Sequence, residues 1–326
     1  MQKMTQSLSQ FVLDKFIRAR QTPAQRVAEL SELHNGNPFV VDDGNLRFMY
    51  FDQNSVQSVM RIDAPEELLF GYTRAMMSFL FLNPAPSHIL MVGLGGGSLV
   101  KFCHRFLPAC KITVLEIDPG VIALRKQFCV PDDDERLLIK CCDAASYIAE
   151  VPDSVDVILL DGFDINGLVQ SLCSPKFLAQ CYNALSVNGI LVCNMWGKQR
   201  DLIPHLCQLR QIFDQNVWWG RSPDSYNLVV FANKNLRAKF PVEGAINPAF
   251  FTPEMAFELQ QFNYALRDFR DPTEKGTINA DAADLEYLAL EADLAFLLGQ
   301  DPRLPRSEEA WRDTHHIKSE PGKSPT

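Results

Sequence analysis

From residue 88 to residue 213 the sequence alternates between short apolar runs and amphipathic stretches. No other feature constrains the fold as much. The runs Ile89–Val92, Ile112–Leu115, Leu137–Cys142, Val155–Leu160 and Gly189–Asn194 read as strands. The stretches Ser98–Phe106, Gly120–Phe128, Ala145–Glu150, Pro175–Leu185 and Arg200–Phe213 read as the helices that follow them. Strands that alternate with helices predict an α/β fold with a parallel, doubly wound sheet. Two more strands, Asn216–Trp219 and Asn227–Ala232, are separated only by Gly220–Tyr226. A link that short forces an antiparallel hairpin, placed here at the sheet edge.

The flanks are different in kind. Helical spacing predicts helices over Gln6–Arg20 and Pro23–His34, and Asn35-Gly36-Asn37-Pro38 then breaks the chain. Phe39–Val41, Leu46–Phe51 and Val56–Ile62 predict a small antiparallel β module, with Asp43-Gly44 as a turn. Pro65 opens a predicted helix to about Leu82, which Asn83-Pro84-Ala85-Pro86 ends. Beyond the hairpin, Pro253–Phe269 and Ala282–Leu298 read as helices. The predicted divisions are 1–38 (N-terminal helices), 39–86 (β module and linking helix), 87–235 (nucleotide-binding sheet), 236–300 (accessory helices) and 301–326. That last segment is rich in charge and proline, which predicts disorder.

A chain of 326 residues can bury a sizeable core. A net charge of −9 argues against nucleic acid as partner and fits a small or cationic substrate. Nine cysteines without a Cys-x-x-Cys pair predict buried thiols in a reducing cytoplasm and no metal site. The start of the sequence has no apolar signal-like run, and Leu68–Leu82 is too short to span a bilayer, so no membrane association is expected.

The candidate chemistry lies at the strand ends. Gly93-Leu94-Gly95-Gly96-Gly97 follows the first strand of the alternation, where Gly93, Gly95 and Gly97 would let the backbone approach a nucleoside. Ser98 stands where a dinucleotide fingerprint needs Gly or Ala, so a looser, sulfonium-donor type of loop fits better. Glu116 ends the second strand, where an acid accepts from a ribose diol. Asp118 follows it as a helix cap. Asp143 ends the third strand and can accept from an adenine amine, cap the next helix, or do both. Asp161 and Asp164 follow the fourth strand in Asp161-Gly162-Phe163-Asp164. They form either an Asx turn or an anionic floor that orients an amine and takes its proton.

Five strand–helix units closed by a hairpin are the layout of the S-adenosylmethionine-dependent methyltransferase-like fold, with a seven-stranded sheet. Over roughly residues 39–233 the chain resembles the spermidine/spermine synthase family, the polyamine aminopropyltransferases. Phe51-Asp52 with Val56-Gln57 looks like its Leu-Asp-Gly…Gln segment, and Tyr72 falls on the tyrosine of its Tyr-His/Gln-Glu motif. Glu116-Ile117-Asp118 matches its Glu-Ile-Asp motif, Asp143 its Gly-Asp motif, and Asp161 and Asp164 the ends of its Asp-Ser-Ser-Asp motif. The resemblance implies decarboxylated S-adenosylmethionine or S-adenosylmethionine as co-substrate and a small amine such as putrescine as acceptor. It further implies Asp161 as base, Asp164, Tyr72 and Gln57 as substrate ligands, and a homodimer.

The sequence also departs from that pattern. Gly96 stands where the family's glycine loop carries the Asp that holds the donor ammonium. Losing one such charge-assisted contact costs about 1.5–3 kcal/mol. Thr73-Arg74 replaces His/Gln-Glu, and an inward Arg74 would favour a donor that keeps its carboxylate. Ser222-Pro223-Asp224-Ser225-Tyr226 replaces Pro-Tyr-Pro. Two alternatives to aminopropyl transfer therefore stand: a methyltransferase on an unknown acceptor, and a non-catalytic binding protein.

Overall fold

The computed structural model describes residues 22–164, 167–196, 202–222, 224–225, 227–237, 240–243 and 251–268. The predicted helices Gln6–Arg20 and Ala282–Leu298 and the tail from Asp301 lie outside the described residues.

The first described helix, α1 (Pro23–His34), is fixed by a reciprocal capping box between Thr22 and Gln25. Strands β1 (Phe39–Asp43), β2 (Leu46–Tyr50) and β3 (Val56–Arg61) pair antiparallel in chain order, as predicted. The predicted helix from Pro65 to Leu82 is a correction. Helix α2 spans only Gly71–Met76 and passes into a 3-10 turn over Met77–Phe81. Residues 65–70 are not helical because the Leu68 and Leu69 carbonyls accept from the Arg74 guanidinium instead of from downstream amides.

The main sheet contains β4 (His88–Val92), β5 (Lys111–Glu116), β6 (Leu137–Cys141), β7 (Val155–Leu160), β10 (Leu185–Trp196), β11 (Val217–Arg221), β12 (Asn227–Asn233) and β13 (Arg267–Asp268). Their order is β13-β11-β12-β10-β7-β4-β5-β6, and β4, β5, β6, β7 and β10 run parallel. The hairpin closes the sheet with β12 antiparallel to both β10 and β11. The sheet has eight strands rather than the seven expected, because two residues after the last described helix add to the open edge of β11. A second small pair, β8 (Phe163–Asp164) with β9 (Gly167–Leu168), follows β7.

Period-two alternation sends each strand's side chains to two cores. Ile89, Met91, Ile112, Val114, Val157 and Leu159 pack on one face, with residues of α3 (Ser98–Phe106), Met49 and Met60 of the β module, and Leu259 and Phe262 of α8 (Pro253–Ala265). Leu90, Val92, Leu115, Ile158 and Leu160 pack on the other. There they meet α5 (Ala144–Ile148), α6 (Pro175–Ala184) and α7 (Leu202–Ile212). The short α4 (Pro119–Ala123) lies between β5 and β6. The chain moves outward from β4 to β6, then returns to β7 beside β4. The carboxyl ends of β4 and β7 thus flank a topological switch point, where open α/β sheets bind ligands.

Candidate active site

A cavity of about 130 Å³ opens at that switch point. Its wall includes Gly93, Leu94 and Gly95 after β4, Glu116 and Ile117 after β5, Cys142 and Asp143 after β6, and Asp161 after β7. Phe51, directly after β2, also lines it.

Gly93 has φ +94°, and a Cβ there would collide with the Asp161 carbonyl oxygen. Only glycine lets the β4 and β7 ends come this close. Gly95 and Gly97 also have positive φ, at +50° and +67°. Gly96 has an ordinary φ but no room. A Cβ would run into Ser58 Oγ of β3 and lie 2.8 Å from Phe128 Cδ1. The Gly96 position therefore has no room for a side chain without movement of Ser58 and Phe128.

Glu116 is buried, and each of its oxygens accepts from a backbone amide. Leu94 N–H donates to Oε2 at 2.9 Å and Asp118 N–H to Oε1 at 2.8 Å. The carboxylate shapes the glycine loop and keeps lone pairs toward the cavity. Asp118 caps α4 through Gly120 N–H at 2.7 Å. Asp143 caps α5, accepting from Ser146 Oγ at 2.8 Å and Ser146 N–H at 3.0 Å. The Ser146 hydroxyl, with the backbone amides of Ser146 and Ala145, holds its carboxyl below the usual range against a small desolvation.

Asp161 is held from two sides. Asn194 Nδ2 donates to Oδ1 at 2.8 Å, and Tyr72 Oη donates to Oδ2 at 3.3 Å. Burial pushes the Asp161 carboxyl above its ordinary range, and the two hydrogen bonds oppose the shift. Burial and the neighbouring carboxylate push the Tyr72 phenol well above its ordinary value. Asn194 was not singled out from sequence. Its signal was the one shared by Glu116 and Asp161, a polar residue near the carboxyl end of an apolar strand.

The other predicted residues are placed as follows. Gln57 donates from Nε2 to Ser55 Oγ at 3.0 Å and does not line the cavity. Asp164 lies in β8, and its side chain is not among those described. Arg74 is buried on α2, away from the cavity wall. Its guanidinium donates to the Leu68 and Leu69 carbonyls at 3.0 and 2.6 Å. It also bonds Glu258 at 2.9 Å and lies 3.7 Å from Asp224. Arg74 is thus committed to structure, and the support it lent a carboxylated donor falls away. Asp224 in turn accepts from the Gly71 amide at 2.6 Å and the Ser222 hydroxyl at 2.8 Å, fixing the start of α2 and with it Tyr72.

Among the described residues no group of three His, Cys, Asp or Glu side chains is placed to hold a metal ion. No described helix is long and apolar enough to cross a membrane.

The spermine/spermidine synthase domain matches residues 69–218. A polyamine aminopropyltransferase of Neisseria meningitidis is 37% identical over 195 residues, 59% of this chain and 74% of that protein. One of Chromobacterium violaceum is 35% identical over 179 residues, 55% of this chain and 69% of that protein. The crystal structure of a probable spermidine synthase from Corynebacterium glutamicum shares the fold at TM-score 0.58 and 16% identity, covering 83% of this chain and 94% of that one. By its sequence, this chain belongs to the polyamine aminopropyltransferases, the spermidine/spermine synthase family.

Proposed function

We propose that the chain moves an aminopropyl group from decarboxylated S-adenosylmethionine to a small amine such as putrescine. The observation that carries the reading is Asp161, a partly buried carboxylate on the cavity wall beside the glycine loop, with both oxygens engaged by donors. In this reading Glu116 accepts from the donor ribose and Asp143 from its adenine amine, while Gly93, Gly95 and Gly97 let the backbone lie against it. The acceptor nitrogen attacks the carbon next to the sulfonium. The new C–N bond forms as the C–S bond breaks, and methylthioadenosine leaves. Asp161 takes the proton that the acceptor nitrogen loses, and the cavity supplies proximity. Tyr72 holds Asp161, and Asp164 takes the acceptor's far ammonium. Gln57 reaches the donor only by leaving Ser55. The working unit is a homodimer in the cytoplasm.

A second reading, methyl transfer from S-adenosylmethionine, is favoured by one observation. Ser58 and Phe128 close the Gly96 position, so no carboxylate there selects for an ammonium or repels a donor carboxylate. Purified protein incubated with each labelled donor and putrescine separates the two. Aminopropyl transfer releases methylthioadenosine from the decarboxylated donor. Release of S-adenosylhomocysteine alone overturns it in favour of methyl transfer.

A further inference from the structure

The hydrogen bond to Asp161 Oδ1 belongs to a longer chain. Asn227, the first residue of β12, donates from Nδ2 to Asn194 Oδ1 at 2.8 Å, and Asn194 donates from Nδ2 to Asp161 Oδ1 at 2.8 Å. Asn194 is 2% exposed, so water cannot substitute for either bond. An asparagine amide is nearly symmetric in shape, and either end fits the same space. Here its orientation is fixed twice: Asn227 offers a donor to the oxygen end, and the Asp161 carboxylate demands a donor at the nitrogen end. Turned around, Asn194 would set its carbonyl against the carboxylate and its NH₂ against another NH₂.

We infer that Asn194 and Asn227 form a positioning relay that keeps Asp161 Oδ1 unprotonated and directs the proton from the acceptor nitrogen to Oδ2. The inference rests on the reading of Asp161 as the base. A proton on Oδ1 would face the Asn194 NH₂, which can only donate. A proton on Oδ2 faces the Tyr72 hydroxyl, which can rotate from donor to acceptor. The step balances simply: the acceptor N–H bond breaks, its electron pair stays on nitrogen, and an O–H bond forms at Oδ2. The ionisable groups around Asp161 are Tyr72 on α2, with Asp224 acting on Tyr72 from the β11–β12 link. Glu116, Cys142 and Asp143 line the same cavity from β5 and β6.

The test compares Asn194→Leu, Asn227→Leu and Asn227→Asp with the parent enzyme. Asn227→Leu removes only the orienting donor. Asn227→Asp replaces it with an acceptor, which pulls the Asn194 NH₂ away from Asp161. The relay predicts that the acid limb of kcat against pH moves up by about one unit in Asn194→Leu and further in Asn227→Asp, about 1.4 kcal/mol per unit. Donor affinity, measured by calorimetry, stays within threefold. A ¹³C NMR titration of the Asp161 carboxyl, assigned by its loss in Asp161→Asn, should move in the same direction without any turnover. Folded variants whose acid limb and titration both stay at the parental pH would overturn the relay. Should Asn194→Leu fail to fold, Asn227→Asp decides alone. The control Asp161→Asn separates the two ideas: turnover retained there removes the base, whereas turnover lost there with unmoved Asn variants removes only the relay.

Discussion

At Asp161, burial raises the carboxyl pKa while Asn194 and Tyr72 hold it down. In the proposed mechanism the base form is the carboxylate, so activity should rise with pH through a midpoint above the ordinary carboxylate range. Tyr72→Phe deletes one of the two donors that favour the charged form, so its acid limb should lie at higher pH than the parent's in a kcat/KM profile. An unmoved limb would separate Tyr72 from the base. Gly96 makes a different prediction. Gly96→Asp, which restores the family's loop residue, drives a side chain into Ser58 and Phe128. Overpacking of this kind costs about 1–3 kcal/mol. Thermal melts should show the loss, with partial recovery in the double variant Gly96→Asp/Ser58→Gly. Full stability of the single variant would mean that the loop yields freely. Glu116, Asp143 and Asp161 were legible as site candidates because acids closing apolar strands are conspicuous. Asn194 and Asn227 were not, because an asparagine carries no charge to flag it and its role exists only through its neighbours.

At the scale of elements, caps and props set the loops. Asp143 caps α5 and also faces the cavity. Asp143→Ser keeps a capping oxygen but no charge, so stability should hold while donor affinity falls. Asp143→Ala should lose both, with about 1 kcal/mol of stability. Equal donor affinity in parent and Asp143→Ser, measured by calorimetry, would leave Asp143 a cap alone. Lys101 on α3 is buried and donates to the Phe128 carbonyl at 2.9 Å, bracing the turn that closes on Gly96. Burial brings its ammonium down to about 8 from 10.5. Between those values the unfolded chain holds a proton that the folded chain lacks, so this group makes stability rise with pH across that window. Below pH 8 both states are protonated, and the cost of the buried charge is fully present. Lys101→Met should therefore be more stable at pH 7 by about 1–3 kcal/mol, and the parent should close the gap by pH 10.5. Urea melts across that range check the difference, and a pH-independent gap would count against it. The strands were legible to within a few residues because parallel strands buried on both faces are continuous apolar runs. Helix ends were less so: α8 stops at Ala265 rather than Phe269, since the next residues join β11.

At the scale of the molecule, Arg74 ties the Leu68–Leu69 backbone before α2 to Asp224 between β11 and β12 and to Glu258 on α8. Arg74→Leu leaves buried acceptors without their cation and should cost about 3 kcal/mol. Arg74→Lys should recover little, because a single ammonium cannot serve four acceptors. Denaturant melts of the two variants check this, and parental stability in either would show the tie to be dispensable. Two of the sequence's departures from its family, Arg74 and Asp224, thus answer each other across the fold. The sequence by itself determined the α/β class, the parallel run of strands, the closing hairpin and the acids at the strand ends, because these depend on local periodicity and on residues placed beside their own strand. The tertiary structure alone decided where α2 begins, which way Arg74 points, and that Gly96 is sealed. It also decided that two asparagines from different strands meet at Asp161. Each of these depends on a hydrogen bond or a packing contact between residues far apart in the chain, such as Gly71 to Asp224 or Ser58 to Gly96, and no local pattern encodes such a meeting.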